Sequence, residues 1–221
     1  RWDGYTTPPV SNANYAWILH MLSKLDVTNG IAGFLLANGA LNADGVEGDI
    51  RRELIENDKV EAIIVLPREM FYSTDISVTL WILNNNKKAR SLNGRQLRNR
   101  QDEVLFVDLR RWNENIYEKK YIQFSDEQID AIKNIYTDWQ TNENFEAVPE
   151  LCCSATKAEI AAQRYSLAPS KYIEFIDHDL EIDYASEMAR IQGEMREVLK
   201  AEKESQAMLE EAFRGIGYGI D

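Results

Sequence analysis

Cysteine, histidine and positive charge are all in short supply in this 221-residue chain, and each shortage closes a class of function. The two cysteines, Cys152 and Cys153, are adjacent, a spacing that rarely closes a disulfide and lacks the gap of a zinc knuckle. A reducing cytoplasm suits such a chain, with the thiols expected as a buried or loop pair. The two histidines, His20 and His178, are far apart and outside any His-Glu-x-x-His arrangement, so no metal site is expected. Lys and Arg number 25 against 37 Asp and Glu, a formal net charge of −12. A freestanding binder of nucleic acid or of an anionic membrane rewards the opposite sign. Long hydrophobic runs are missing too: residues 31–36, the longest, are broken by small side chains and are far too short to span a bilayer. No signal peptide heads the chain. There is no Walker loop, no Gly-x-Ser-x-Gly elbow and no Gly-x-Gly-x-x-Gly; Gly30 and Gly33 lie within a strand signal and are expected to mark close packing. The chain opens Arg1-Trp2-Asp3-Gly4-Tyr5, without Met, and reads as a piece of something longer.

What is present is ordinary globular material, with 44% hydrophobic and 28% charged residues, enough for one large domain or two small ones. Residues 11–110 alternate helix and strand signals. Ser11-Asn12 can cap a helix carrying Tyr15, Ile18, Leu19, Leu22 and Leu25; residues 31–37 read as a strand buried on both faces. A second helix is expected over 47–57, with Ile50, Leu54 and Ile55 inward, then strands over 60–66 and 76–83. Such alternation predicts an α/β layered sheet over 1–110. Residues 111–221 read as a mostly helical region. Ser125 and Gln128 form a capping box ahead of Ile129, Ile132, Ile135 and Tyr136, and a short helix is expected from Ser154 to Arg164, with Pro169 ending regular structure. One long helix is expected over about 180–213. Its Tyr184, Met188, Ile191, Met195 and Val198 step by four, three, four and three, which is heptad spacing. That stripe calls for another helix, either the one after Ser125 or one on a partner.

Between residues 84 and 101 the charge reverses: Lys87, Lys88, Arg90, Arg95, Arg98 and Arg100 fall there with no acidic residue among them. Two readings stand, a solvated hairpin loop before a strand at 104–109 or a phosphate-contacting loop. Thr7-Pro8-Pro9-Val10 is similar to the Pro-Pro motif of amino-methyltransferases but fails at both ends. Thr7 replaces the amide or acid, and Val10 replaces the aromatic that would stack on a base. No catalytic role follows from it.

Four segments, in order, together resemble the modification subunit of type I restriction-modification systems. The first is the opening pentapeptide with Pro8-Pro9 and residues 12–22. The second is residues 33–39 with Glu47-Gly48 and Ile50-Arg51. The third is Val65-Leu66-Pro67 with residues 71–76 and Leu80-Trp81, and the fourth is residues 165–172. The resemblance implies an N6-adenine DNA methyltransferase that uses S-adenosylmethionine, on a Rossmann-like sheet followed by a helical C-terminal region. It also implies that the glycine-rich cofactor loop and the Asn-Pro-Pro-Phe catalytic motif lie ahead of Arg1. The chain would then be the C-terminal part of that subunit, inactive alone, its three strands the last of a seven-stranded sheet with the final one antiparallel. Phe71 and Tyr72 would sit where similar enzymes carry an aromatic against the flipped base, and Asn38 where open α/β sheets collect ligands. For Phe71 the competing expectation is a core residue capping the sheet, and for Asn38 a turn residue. The implied partners are a specificity subunit, met by the heptad stripe, a restriction subunit, and double-stranded DNA reached through the complex, in a bacterial or archaeal cytoplasm with no membrane. A non-enzymatic α/β interaction module with a helical docking arm is the alternative.

Overall fold

Helix α1 (Asn14–Leu22) turns Tyr15, Ile18 and Leu19 inward. Its start is held by Asn12, whose Oδ1 accepts from the Asn14 amide at 3.0 Å, and it ends before Leu25. The computed structural model describes residues 2–92, 94–114, 116–117, 121–176 and 183–218, side chains excepted at 116 and 117. His178 and the first residues of the long helix expected from 180 lie outside them. The elements that follow are β1 (Ile31–Ala37), α2 (Val46–Glu56), β2 (Val60–Val65), β3 (Val78–Asn84), β4 (Arg90–Leu92), β5 (Arg95–Leu97) and β6 (Glu103–Asp108). Then come β7 (Ile116–Tyr117), β8 (Tyr121–Ile122), α3 (Asp126–Thr141), β9 (Cys152–Thr156), α4 (Lys157–Ala162) and α5 (Tyr184–Gly215).

Five strands form one sheet in the order β1-β3-β2-β6-β9. β2 and β6 are parallel, and β3 runs antiparallel between β1 and β2, as expected for the third strand. Alternate residues build two cores. Val104 and Phe106 of β6 join Ile18, Ile50, Leu54 and Ile160 on the face covered by α1, α2 and α4. Leu105 and Val107 join Trp139 of α3 on the other face.

Three expectations are corrected. β1 is not buried on both faces. Among the described residues it pairs only with β3, α3 covers the other end of the sheet, and Ile31 and Leu35 are left 48% and 45% exposed. Nor does the sheet end before the region expected to be helical: β9 adds antiparallel to β6, and one compact unit runs from Arg1 to Ile176. Ser154 lies in that strand rather than opening a helix. Thr156 caps α4 through a capping box with Glu159, and the left-handed backbone at Arg164 and Tyr165 closes the turn after it. The box at Ser125 and Gln128 forms as expected, starting α3.

The segments that carried the resemblance fold onto one another. Arg51 of α2, almost wholly buried, donates from Nε to the Tyr165 carbonyl (2.6 Å) and from Nη1 to the Ala43 carbonyl (2.7 Å). The Leu167 amide donates to the Leu41 carbonyl at 2.9 Å. These are structural roles.

Cys152 and Cys153 are free and buried on β9. Burial pushes the Cys153 thiol up to about 12 from 9.0, and the Tyr15 phenol up to about 12 from 10.0 against the pull of Arg51. An unfolded chain ionises both groups before the folded one does, so their stabilisation is complete below about pH 9 and fades as pH climbs toward 12. The urea midpoint is therefore expected to fall between about pH 8 and about pH 10.5. Lys87, lowered mainly by burial, acts in the opposite sense. A flat or rising midpoint would mean that the buried thiol and phenol do not govern alkaline stability.

The α5 helix is 32 residues long, about 48 Å at 1.5 Å per residue. The Asp183 side chain accepts from the Ala185 amide at its start, and Arg190 pairs with both Glu187 and Glu194. Its five heptad residues form a continuous stripe, none of them buried.

Candidate functional site

β1, β2 and β6 share a direction, so their carboxyl ends meet at one edge of the sheet, where open α/β folds place ligands. Three sets of residues occupy that edge. Asn38 follows β1. Its Nδ2 donates to Ser77 Oγ (3.1 Å) and its Oδ1 accepts from Thr79 Oγ1 (2.6 Å), so the amide ties the end of β1 to the start of β3. Asn38 also opens a short 3-10 helix (Asn38–Leu41) rather than breaking one.

The loop 66–77 follows β2, and its two ends are clasped. The Leu66 amide donates to the Val78 carbonyl (2.8 Å), and Ser77 Oγ donates to the Leu66 carbonyl (2.6 Å). Further out, Arg68 Nη2 meets Asp75 Oδ2 at 2.9 Å and the Glu69 amide donates to the Asp75 carbonyl at 3.3 Å. Past this clasp Phe71 is half-buried and Tyr72 is 77% exposed. Phe71 belongs to neither core cluster, so it is not the core cap that the competing expectation required. With Glu69, Ser73, Thr74, Asp75 and Tyr121 the two aromatics line a cleft of about 410 Å³. Asn38 is not in that lining.

The third set follows β6. The Asp108 carboxylate receives both Nε and Nη2 of Arg110 (2.9 and 2.6 Å), and Arg111 pairs with Glu150 at 2.6 Å. The hydrogen bond from the Leu109 amide to the Val65 carbonyl (2.9 Å) holds this turn beside the start of the aromatic loop. Sequence reading singled out neither arginine. A sequence signal existed, a pair of arginines at the carboxyl end of a strand, but its meaning depended on strand direction.

The six basic residues expected to touch phosphate lie elsewhere. The segment after β3 leaves from the opposite edge of the sheet, because β3 is antiparallel. Lys87 is buried, paired with Asp58 and donating to the carbonyls of Val60 (3.0 Å) and Glu103 (2.6 Å). Arg98 holds Glu103 with two nitrogens (3.1 and 2.8 Å). Arg100 is fully buried, 3.5 Å from Glu61 Oε1 and with its guanidinium 5.7 Å from the Trp139 ring centre. All three are committed to acids within the fold, Glu61 among them fully buried, so the phosphate expectation is corrected for them. Lys88 and Arg95 are exposed, and Arg90 is half-buried with its Nη1 donating to Asn29 Oδ1. The unpaired position of this segment in sequence concealed its partners, which come from Asp58, Glu61 and Glu103.

Among the described residues no group of three or more His, Cys, Asp or Glu could hold a metal ion, and no helix is long and apolar enough to cross a membrane. At the Pro-Pro motif, Val10 is fully exposed.

Fold and site together define an open α/β domain with an aromatic loop at its ligand-collecting edge. Residues 1–180 match the model of the N-6 DNA Methylase family, and the chain belongs to that family. It is 33% identical over 222 residues to the type I restriction enzyme HindI methylase subunit of Haemophilus influenzae, covering 99% of this chain and 46% of the relative. It is 32% identical to the MjaIX methylase subunit of Methanocaldococcus jannaschii, over 96% of this chain and 36% of the relative. The chain thus spans less than half the length of these relatives. Among solved structures, the type I restriction-modification system methyltransferase subunit from Streptococcus thermophilus superposes with a TM-score of 0.63 at 26% identity, covering 77% of this chain and 32% of that one. The type I restriction enzyme EcoKI M protein has the same fold, with a TM-score of 0.55 at 20% identity over 96% of this chain and 46% of that one.

Proposed function

We propose that this chain supplies the far half of the sheet, the base-facing aromatic loop and a docking helix of a type I adenine-N6 DNA methyltransferase subunit. The observation that carries the reading is the clasped loop 66–77, which holds Phe71 and Tyr72 over the carboxyl edge of the sheet in a chain of the N-6 DNA methylase family. An adenine inside a duplex hides its exocyclic amine, so the base must be swung out at a cost of a few kcal/mol. Stacking on an aromatic face returns about 1–3 kcal/mol of that. Tyr72 offers such a face, and a loop tied at both ends loses little further freedom on receiving a base. S-adenosylmethionine supplies the methyl group in this reading, and no described residue is assigned to hold it. The open edge and exposed apolar side chains of β1 fit a sheet that continues into the rest of the subunit.

The exposed stripe of α5 is the surface assigned to a helix of the specificity subunit, with the restriction subunit and DNA joining through the complex. Lys88, Arg90 and Arg95 are kept as the phosphate contacts of the basic segment. Two free, buried thiols suit a bacterial or archaeal cytoplasm.

The test is Tyr72→Ala in the full-length subunit assembled with its specificity subunit. Loss of one stack is expected to lower kcat/KM by about tenfold, while Tyr72→Phe stays near the parent. Unchanged turnover in both Tyr72→Ala and Phe71→Ala would remove the loop from the base pocket.

A further inference from the structure

The clasps along the loop 66–77 hold its backbone, but they do not explain what orients the Tyr72 ring, which stands 77% exposed beyond them. Its neighbour comes from a distant part of the chain. The Tyr121 ring centre lies 4.4 Å from that of Tyr72, with the planes at 61°. This approach is built at the backbone: the amide of Ile122, a buried residue, donates to the Glu69 carbonyl at 2.9 Å and lays β8 against the aromatic loop.

The spacing decides what the pair can do. A base between two rings needs about 7 Å from centre to centre, twice an optimal carbon contact. At 4.4 Å the two tyrosines are in direct edge contact and nothing can enter between them. Tyr121 therefore packs against Tyr72 rather than opposite it across a base, and both residues line the same cleft. An exposed aromatic without such a neighbour loses rotamer freedom when it stacks; one already braced does not.

We infer that Tyr121 is a positioning residue for the target adenine: it braces the Tyr72 ring in the orientation that receives the flipped base, and does not itself touch that base. This rests on the base-wall reading above and adds to it a residue 49 positions away, on a hairpin to which that reading gives no role. Because Tyr121 acts through Tyr72, removing it must matter only while Tyr72 is present.

The experiment is a double-mutant cycle in the full-length subunit assembled with its specificity subunit. The probe is a duplex carrying 2-aminopurine in place of the adenine that methylation mapping identifies as the target. Stacking of the flipped 2-aminopurine on Tyr72 quenches its fluorescence. Tyr121→Ala is expected to raise the bound-state fluorescence and, on the adenine duplex, to lower kcat/KM by about fivefold, with Tyr121→Phe restoring both. In the Tyr72→Ala background the same substitution is expected to change neither. Tyr121→Leu, which keeps an apolar contact for the hairpin but no ring, should behave as Tyr121→Ala does and guards against misfolding of the smaller variant. Equal losses from Tyr121→Ala in both backgrounds would overturn the inference, because Tyr121 would then act on its own. An effect of Tyr72→Ala with none from Tyr121→Ala would also overturn it while leaving Tyr72 as the base wall. No effect from Tyr72→Ala would overturn the inference about Tyr121, and the base-wall reading would fall with it only if Phe71→Ala were also without effect.

Discussion

Arg100→Ala is expected to lower the unfolding free energy of the chain by about 3–5 kcal/mol, a large share of the stability of a domain this size. Arg100 and Glu61 are both completely buried, 3.5 Å apart. The Glu61 carboxylate also receives Asn84 Nδ2, Tyr136 Oη at 3.1 Å and Gln140 Nε2 at 3.0 Å, all neutral donors. With the guanidinium gone, a full negative charge stays in the interior with only these neutral donors, and the Trp139 ring loses a cation from its face. Partial burial of Tyr136 and the adjacent Glu61 carboxylate push its phenol well above the ordinary range. Urea unfolding followed by tryptophan fluorescence measures the loss. Glu61→Gln with Arg100→Met is expected to be milder than Arg100→Ala alone, because no uncompensated charge remains. Lys88→Ala, on the exposed part of the same segment, is expected to stay within about 0.5 kcal/mol of the parent. An Arg100→Ala chain as stable as its parent would mean that this segment's charge serves something other than the fold.

The second large effect is expected on α5. Ile191→Asp with Met195→Asp places two carboxylates at the centre of the apolar stripe, between Met188 and Val198. Central apolar anchors of an interface carry about 2 kcal/mol or more each, and a buried unpaired carboxylate adds a desolvation penalty. Together the two changes are expected to weaken docking by about a thousandfold or more. Co-purification of the specificity subunit with the full-length methylase subunit should then fail, while the fold of residues 1–176, a separate compact unit, is expected to be unaffected. Retained co-purification with the helix intact by circular dichroism would exclude this stripe as the docking surface.

How much of this was legible in the residues follows from the range of the interactions involved. The capping box at Ser125 and Gln128, the inward faces of α1 and α2, and the heptad stripe of α5 depend on residues three or four apart, so pattern alone located them. The strand runs at 31–37 and 60–66 were equally visible, but their surroundings were not. An apolar run reads alike in the middle of a sheet and at its edge, and only the order β1-β3-β2-β6-β9 shows that β1 is the edge. Ser154 looked like a helix start because its pairing with β6 is made by residues about fifty positions away.

For the site, chain order and composition determined the family resemblance, the scarcity of metal-ligating residues, and the aromatic pair Phe71 and Tyr72. Tertiary structure alone decided which charges are free. Lys87, Arg98 and Arg100 sit in a segment without an acid, yet Asp58 and Glu61 from about thirty to forty positions away, and Glu103 just beyond the segment, converge on them in space. It also brought Tyr121 against Tyr72 and set Arg110 and Arg111 at the edge that holds the aromatic loop. Local periodicity records which face of an element is apolar, because that depends on backbone geometry a few residues long. Which charges are neutralised, and which rings meet, depends on how strands order and orient, and no short stretch of sequence carries that information.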